Sequence, residues 1–531
     1  VVIGANGLVN ASAAVEGWAE STALSATVSR LRYDGFRTDP SEDAPSGATY
    51  GDADRWTFNG QTVTDAAGGA LRVTLNAVDL DAENPGSLPR DALSDDDRPA
   101  WGFNVAQGTG KEIRQGQLGG VWDGPVLGGR GELAAWGIVR DVLNPIPPTV
   151  IDLSRRAGGV RALWGSESGV DGAEGTRAEG PRADAAGVPF TWGAGAEVEL
   201  QRDDRKNFDN ESGQKGALTL DQLERVLTTG GFVRAAARPH PRVRVTSALR
   251  WDRFRFEADD RYTTDGDDSG SRTMDAWSPT LGLVVRAGPA EVWGNLSTAI
   301  ETPTTTELVN RPDGGGGFNP RLDPQRSTGA EVGARGRLAD DRVRWELAIF
   351  RADLEDELVA FESEGGRTFF RNTGASRHEG LEAALEVTLG GGVVARAVYS
   401  RTDARFETYE LGGEDLSGNR VPGLAPNRLD LRVGQERARF FWSLEGGWTD
   451  EVPVDDANSE VADAYFLVDA RAGLRELRVA DAVVSPWAGV RNALDERYTA
   501  SVTVNAVGGR YYEPGPGRTA YVGLAVRWDP R

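Results

Sequence analysis

Apolar and polar residues alternate with period two in many short segments of this chain, most clearly in the last one. Ala520, Val522, Leu524, Val526 and Trp528 fall on one side there, and Thr519, Tyr521, Gly523, Ala525 and Arg527 on the other. Period two predicts a β-strand with two unlike faces. The same division recurs upstream. Val243, Val245, Leu249 and Trp251 oppose Arg244, Thr246, Arg250 and Asp252. Leu381, Ala383, Leu385 and Val387 oppose Glu382, Ala384, Glu386 and Thr388. Phe466, Val468, Ala470, Ala472 and Leu474 oppose Leu467, Asp469, Arg471 and Gly473. A soluble sandwich hides its apolar face, whereas a membrane barrel turns that face to lipid and its polar face to an enclosed lumen. Polar faces carrying Arg, Asp and Glu this often suit a wide, wet interior.

The punctuation between strands points the same way. Short turns at Gly4–Gly7, Glu20–Thr22, Asp65–Gly69, Leu127–Arg130, Arg238–Pro241, Ala287–Pro289, Ala339–Asp341 and Gly390–Gly392 are interspersed with long polar connectors. The connectors are Arg37–Ala48, Asp79 to Val105, Lys206–Thr219, Asp259–Arg272, Pro303–Arg326, Glu410–Asn427 and Asp455–Ala462. The stretch Glu167–Val188 breaks this rhythm, being long where a short turn is due, and reads as an insertion. With Val1–Ile3 as the first strand, the chain holds about 22 strands at about 24 residues each, connector included, as in large outer-membrane barrels. The reading is an all-β, 22-stranded antiparallel transmembrane β-barrel with short periplasmic turns and long extracellular loops, over residues 1–531. An even strand number puts both ends of the barrel on the periplasmic side. A series of soluble β-domains would show linkers and equal loops at both ends, and neither is legible.

Composition narrows the chemistry. The 531 residues include no cysteine, so disulfides and thiolate metal sites are excluded. The two histidines, His240 and His378, leave little for a catalytic triad or a histidine metal site, and no HExxH spacing occurs. Net charge is −22, against a nucleic-acid partner. No apolar run is long enough for a membrane helix. The chain begins at Val1, and its one methionine is Met274. No signal peptide is legible, as expected of a processed chain.

Several motifs, in order, carry a family resemblance: Glu301-Thr302-Pro303 through Glu307-Leu308; Asn319-Pro320-Arg321-Leu322-Asp323-Pro324-Gln325-Arg326-Ser327, with Gln325 where Glu is usual; Glu331 and Gly333; Asn372-Thr373-Gly374 with Gly380-Leu381-Glu382; and Arg491-Asn492-Ala493-Leu494-Asp495-Glu496-Arg497-Tyr498. Gly517-Arg518-Thr519 then opens a closing strand in which Tyr521, Gly523, Val526 and Trp528 fit the signal read by the barrel-insertion machinery, with Asp529-Pro530-Arg531 trailing. Together they resemble the barrel of TonB-dependent outer-membrane transporters, most closely the ferric-siderophore and ferric-citrate branch.

The resemblance implies an integral outer-membrane receptor for a ferric chelate, energised by TonB with ExbB and ExbD. It also implies a monomer facing lipopolysaccharide and outer-membrane lipid, with no covalent cofactor and no catalysis. Family members carry a plug domain and a TonB-contacting segment ahead of the barrel, which this sequence is expected to lack. Pro303–Arg326 has no histidine, against haem as cargo. Anionic chelates call for Arg and aromatic groups, and the loop candidates are Trp101, Arg311, Arg321, Arg420, Arg510, Tyr511 and Tyr512. Asp265-Gly266-Asp267-Asp268-Ser269-Gly270 has the composition of a Ca2+ loop but lacks EF-hand spacing. A passive pore, and a structural or adhesive barrel, are the alternative functions.

Overall fold

One antiparallel ladder returns on itself in the computed structural model, which describes all residues except 95–97, 167–189, 265, 310, 313–317, 363–367 and 529–531. Each strand pairs with the next, and Val2–Gly4 closes the cylinder by pairing with both Val9–Ala19 and Thr519–Trp528. Tyr465–Leu474 and Leu477–Val479 are two parts of one interrupted strand, which makes the closed barrel 22-stranded. Closure leaves no strand edge unpaired, the condition for a sheet to exist in lipid.

The apolar rows face outward. Val198 is 51% exposed, Leu200 55% and Val526 60%. Register neighbours share a face, so Val160 pairs with Val198, and Leu200 with Leu227. Aromatic residues border the band at both ends. Trp164 and Trp192 meet edge-on at 4.7 Å at the short-turn end, and Trp251 lies 6.5 Å from Trp277 at the other. The Trp122 and Trp164 indoles donate to the Ala66 and Val126 carbonyls beside the short turns, which satisfies their N–H groups where lipid meets water.

The polar rows face a charged interior. Arg250 pairs with Glu197 and Asp252, and Arg155 reaches Asp203 at 2.6 Å. A recess of about 950 Å³ in the wall is lined by Arg396, Arg432, Glu445, Arg471 and Trp487, among others. Interior aromatics lie against glycines of the neighbouring strand. A Cβ at Gly523 would sit 2.1 Å from the Trp487 ring, and one at Gly489 2.4 Å from Tyr521. Glycine at those positions makes room for the rings.

Among the described residues, the apolar cores lie beyond the membrane band. Phe256, Met274, Leu308, Val309, Phe318 and Leu322 form one, Val359, Ala404, Phe406, Tyr409, Leu416 and Val421 a second, and Val454, Ala462 and Tyr512 a third. Each includes residues of the long connectors.

Connector lengths differ from the sequence reading at several points. Lys206–Thr219 is not a loop: Phe190–Glu211 and Gln214–His240 pair almost to a turn at Ser212-Gly213, both with positive φ. This hairpin rises beyond the lipid band, where both faces carry polar residues and period two fades. The strand Gly69–Glu83 likewise outruns Asp79, and the connector after it holds the helix Gly102–Ala106. Pro303–Arg326 contains the helix Thr305–Val309. The Glu167–Val188 insertion lies outside the described residues.

Candidate functional site

The long connectors meet over one mouth of the barrel, and their contacts follow from the motifs. In Thr304–Leu308 the Thr304 amide donates to Glu307 at 2.7 Å and the Glu307 amide to the Thr304 hydroxyl at 3.3 Å, a capping box that starts the short helix. That helix docks on the barrel wall. Arg205, 1% exposed, pairs with buried Glu224 at 2.6 Å and donates to the Thr306 hydroxyl at 2.7 Å. Thr305 donates to Asp203 at 3.4 Å. Arg272 donates to the Asn319 carbonyl at 2.8 Å and also to Leu322, and it pairs with Asp323 at 3.0 Å, closing the Asn319–Asp323 turn. Asn372 bridges this connector to its neighbour, accepting from the Asp323 amide at 2.8 Å and donating to the Asp356 carbonyl at 2.6 Å.

The penultimate motif is also structural. Asn492 is left-handed (φ 47°) and buried, and its amide side chain donates to Glu496 and Pro516 carbonyls and accepts from the Glu496 amide. Tyr498 packs against Tyr465, the ring centres 4.9 Å apart and the rings tilted by 44°. In the closing strand Tyr521 faces the lumen with Arg491 5.8 Å from its ring centre, while Val526 and Trp528 face outward. Asp529–Arg531 lie outside the described residues.

Four of the candidate ligand residues come together. The Arg510 guanidinium lies 3.6 Å from the Trp101 ring centre and donates to Glu362 at 2.8 Å, with both ion-pair side chains largely buried. Burial raises the Glu362 carboxyl above its usual range, and Arg510 opposes that shift. Tyr511 and Tyr512 meet edge-on at 5.9 Å. Tyr511 stays half-exposed and donates to Asp455 at 3.4 Å. Tyr512 is fully buried and donates to Glu460 at 2.5 Å beneath Arg90, so its ring offers no surface to a ligand here. Burial and Glu460 push its hydroxyl up to about 12. Arg420 borders the group, its backbone clasped by Asn458 at 2.7 and 2.9 Å. Arg311 and Arg321 stand apart on the 302–324 connector, with Arg321 exposed.

Sequence reading missed the hub beside them. Asp456, 2% exposed, accepts from Arg371 at 2.6 Å, the Tyr409 hydroxyl at 2.8 Å and Asn505 at 3.0 Å. Four connectors supply these groups, and no local pattern marks residues so far apart in sequence. Burial, reinforced by Asp456, raises the Tyr409 hydroxyl. Arg37 was missed for the same reason: buried against the Arg98 and Pro99 carbonyls, it is lowered to about 10.

His240 accepts from the Arg242 amide at 3.1 Å in a turn, and His378 lies 3.5 Å from Glu357. Asp265 lies outside the described residues. Its neighbour Asp267 accepts the Ser269 amide, while Asp260 accepts those of Tyr262 and Asp268. Among the described residues no group of three or more His, Cys, Asp or Glu could hold a metal ion.

A family model described as "TonB dependent receptor-like, beta-barrel" matches residues 17–505. The chain belongs to the TonB-dependent receptor β-barrel family. This is a family of receptors and transporters, integral to the outer membrane. The receptor barrel is 25% identical over 240 residues to the catecholate siderophore receptor Fiu of Escherichia coli strain K12, a match covering 43% of this chain and 29% of that protein. It is 25% identical over 263 residues to the vitamin B12 transporter BtuB of Vibrio vulnificus strain YJ016, covering 49% and 39%. The unliganded ferric citrate transporter FecA superposes with a TM-score of 0.76 at 14% identity, over 99% of this chain and 78% of that one. That structural likeness shows the fold.

Proposed function

We propose that this barrel belongs to an outer-membrane receptor that imports an anionic metal chelate, of ferric-siderophore or ferric-citrate type, on energy delivered by TonB with ExbB and ExbD. The observation that carries the reading is the gathering of Trp101, Arg510, Tyr511 and Arg420 from three connectors at one mouth of a charged lumen. Carboxylate or catecholate oxygens of a chelate suit guanidinium donors, and its rings suit aromatic faces. Among the described residues no ion pair engages the guanidiniums of Arg321 and Arg420, so they are the first candidates for contact. In the working receptor a folded plug fills the lumen and couples to TonB, and the barrel itself performs no covalent chemistry. The likeness to receptors named for catecholates, citrate and vitamin B12 supports the class and leaves the cargo to be assayed.

The test is uptake of ferric catecholate, ferric citrate and cobalamin by cells carrying the full receptor, with and without TonB. One of these is expected to enter only with TonB. Entry independent of TonB would favour a passive pore, for which the open interior recess is the supporting feature.

A further inference from the structure

Four buried side-chain atoms near the mouth have no hydrogen-bond partner among the described residues: Glu357 Oε2, Thr373 Oγ1, Ser376 Oγ and His378 Nε2. Register places them together. Ser376 and His378 are two residues apart on the strand Ala375–Thr388, so they share a face. The strand before it, Val343–Glu355, runs on past Asp356 (φ 56°) as a ribbon in which the Glu357 carbonyl accepts the Thr373 amide at 2.8 Å. The Glu357 carboxylate lies 3.5 Å from His378 Nε2. Apolar groups border the four. Ala404 pairs in register with His378 and Phe406 with Ser376, and they are 4% and 1% exposed. One inward position further along, a Cβ on Gly380 would sit 2.3 Å from the Phe350 ring.

The charge is the anomaly. Glu357 is 9% exposed, and among the described residues no Arg or Lys pairs with it. Buried carboxylates are ordinarily ion-paired or metal-bound. An imidazolium at His378 would draw its N–H to about 2.7–2.9 Å from the carboxylate, and the gap is too long for that bond. Water could satisfy the two hydroxyls but would leave the charge buried. A cation meets every requirement at once, because carboxylate, hydroxyl and neutral imidazole all offer lone pairs. The gap also has the right size. Two ligands of a tetrahedral zinc ion, each bonded at about 2.0–2.1 Å, stand about 3.3 Å apart.

We propose that Glu357, Thr373, Ser376 and His378 bind a divalent transition-metal ion, with Zn2+ as the best fit. Protein supplies all four ligands, so the ion is structural and keeps no open position for chemistry. It ties the ribbon, through Glu357 and Thr373, to the wall strand that carries Ser376 and His378. Two of its ligands are hydroxyls, which is why it is not a cluster of three or more His, Cys, Asp or Glu.

The experiment strips the full receptor with a chelator, equilibrates it with zinc chloride and counts retained zinc by plasma mass spectrometry after gel filtration. No metal chelate is added, so the outcome is independent of the cargo. Wild type is expected to hold one zinc more than the E357Q/H378Q variant. X-ray absorption of that zinc should show one imidazole among oxygen neighbours at about 2.0–2.1 Å. Glu357→Gln and His378→Gln should each weaken zinc binding about a hundredfold, and Ser376→Ala and Thr373→Val about tenfold. Zinc should also protect residues 356–374 from limited proteolysis in wild type alone. Heat-modifiable migration on gels reports folding, and Ser376→Ala is read where the double variant does not fold. Equal zinc in wild type and a folded variant overturns the proposal. So does a zinc shell without imidazole.

Discussion

The barrel wall and the layer of connectors above it follow opposite rules. In the wall, Val198 and Leu200 are exposed while Glu197 and Arg250 pair inside. In the connector layer, Leu308, Leu322 and Val454 are fully buried, as in a small soluble protein. The difference is the solvent. Lipid rewards apolar side chains that face out, and water drives them in. One chain obeys both rules because the membrane ends within each long strand.

Substitutions can break or sharpen that contrast. The largest effect is expected where a connector is riveted to the wall. Glu224→Ala leaves Arg205 charged, buried and unpaired, at a cost of about 3–5 kcal/mol. Limited proteolysis should then cut the 302–324 connector, while heat-modifiable migration shows the barrel still closed. Next is Val198→Arg, which puts a charge on the lipid face at a cost of about 2–4 kcal/mol. Urea unfolding from lipid vesicles would measure it, and the same change at lumen-facing Glu199 should cost far less.

Smaller still is Arg510→Ala, which removes a largely buried cation–π contact of about 2 kcal/mol. It also strands Glu362, whose carboxyl burial already raises above the ordinary 4.5. A raised carboxyl stabilises the folded loop below its unfolded pKa and loses that contribution as pH rises through the folded value. The variant's connectors should therefore become more protease-sensitive as pH is raised from about 4.5 towards neutrality. A flat profile would show that Glu362 is solvated when Arg510 is absent. Smallest is Arg432→Gln at the wet wall, where the pair with half-exposed Glu445 is worth about 1 kcal/mol or less.

Much of the wall was legible because each residue's face depends only on its parity. Val243 and Arg244 needed no partner to be sorted, and the turn at Gly390–Gly392 needed only its glycines. The connectors were read less well. Lys206–Thr219 looked like a loop because, above the membrane, both faces of its strands are wet and the alternation that marks a strand disappears. Among the candidate site residues, Trp101 and Arg510 were chosen for their chemistry alone, and Tyr512 was chosen for the same reason although folding buries it. Asp456 was overlooked, since an Asp that is 2% exposed reads in sequence like any solvated loop acid.

The sequence by itself determined which side chains meet lipid and which meet water, because alternation is a local property and the bilayer is the same along every strand. Only the tertiary structure decided which distant residues share the mouth, and that Asp456 collects Arg371, Tyr409 and Asn505 from separate connectors. Those facts depend on strand register and loop packing, which are set by pairings between residues far apart in the chain.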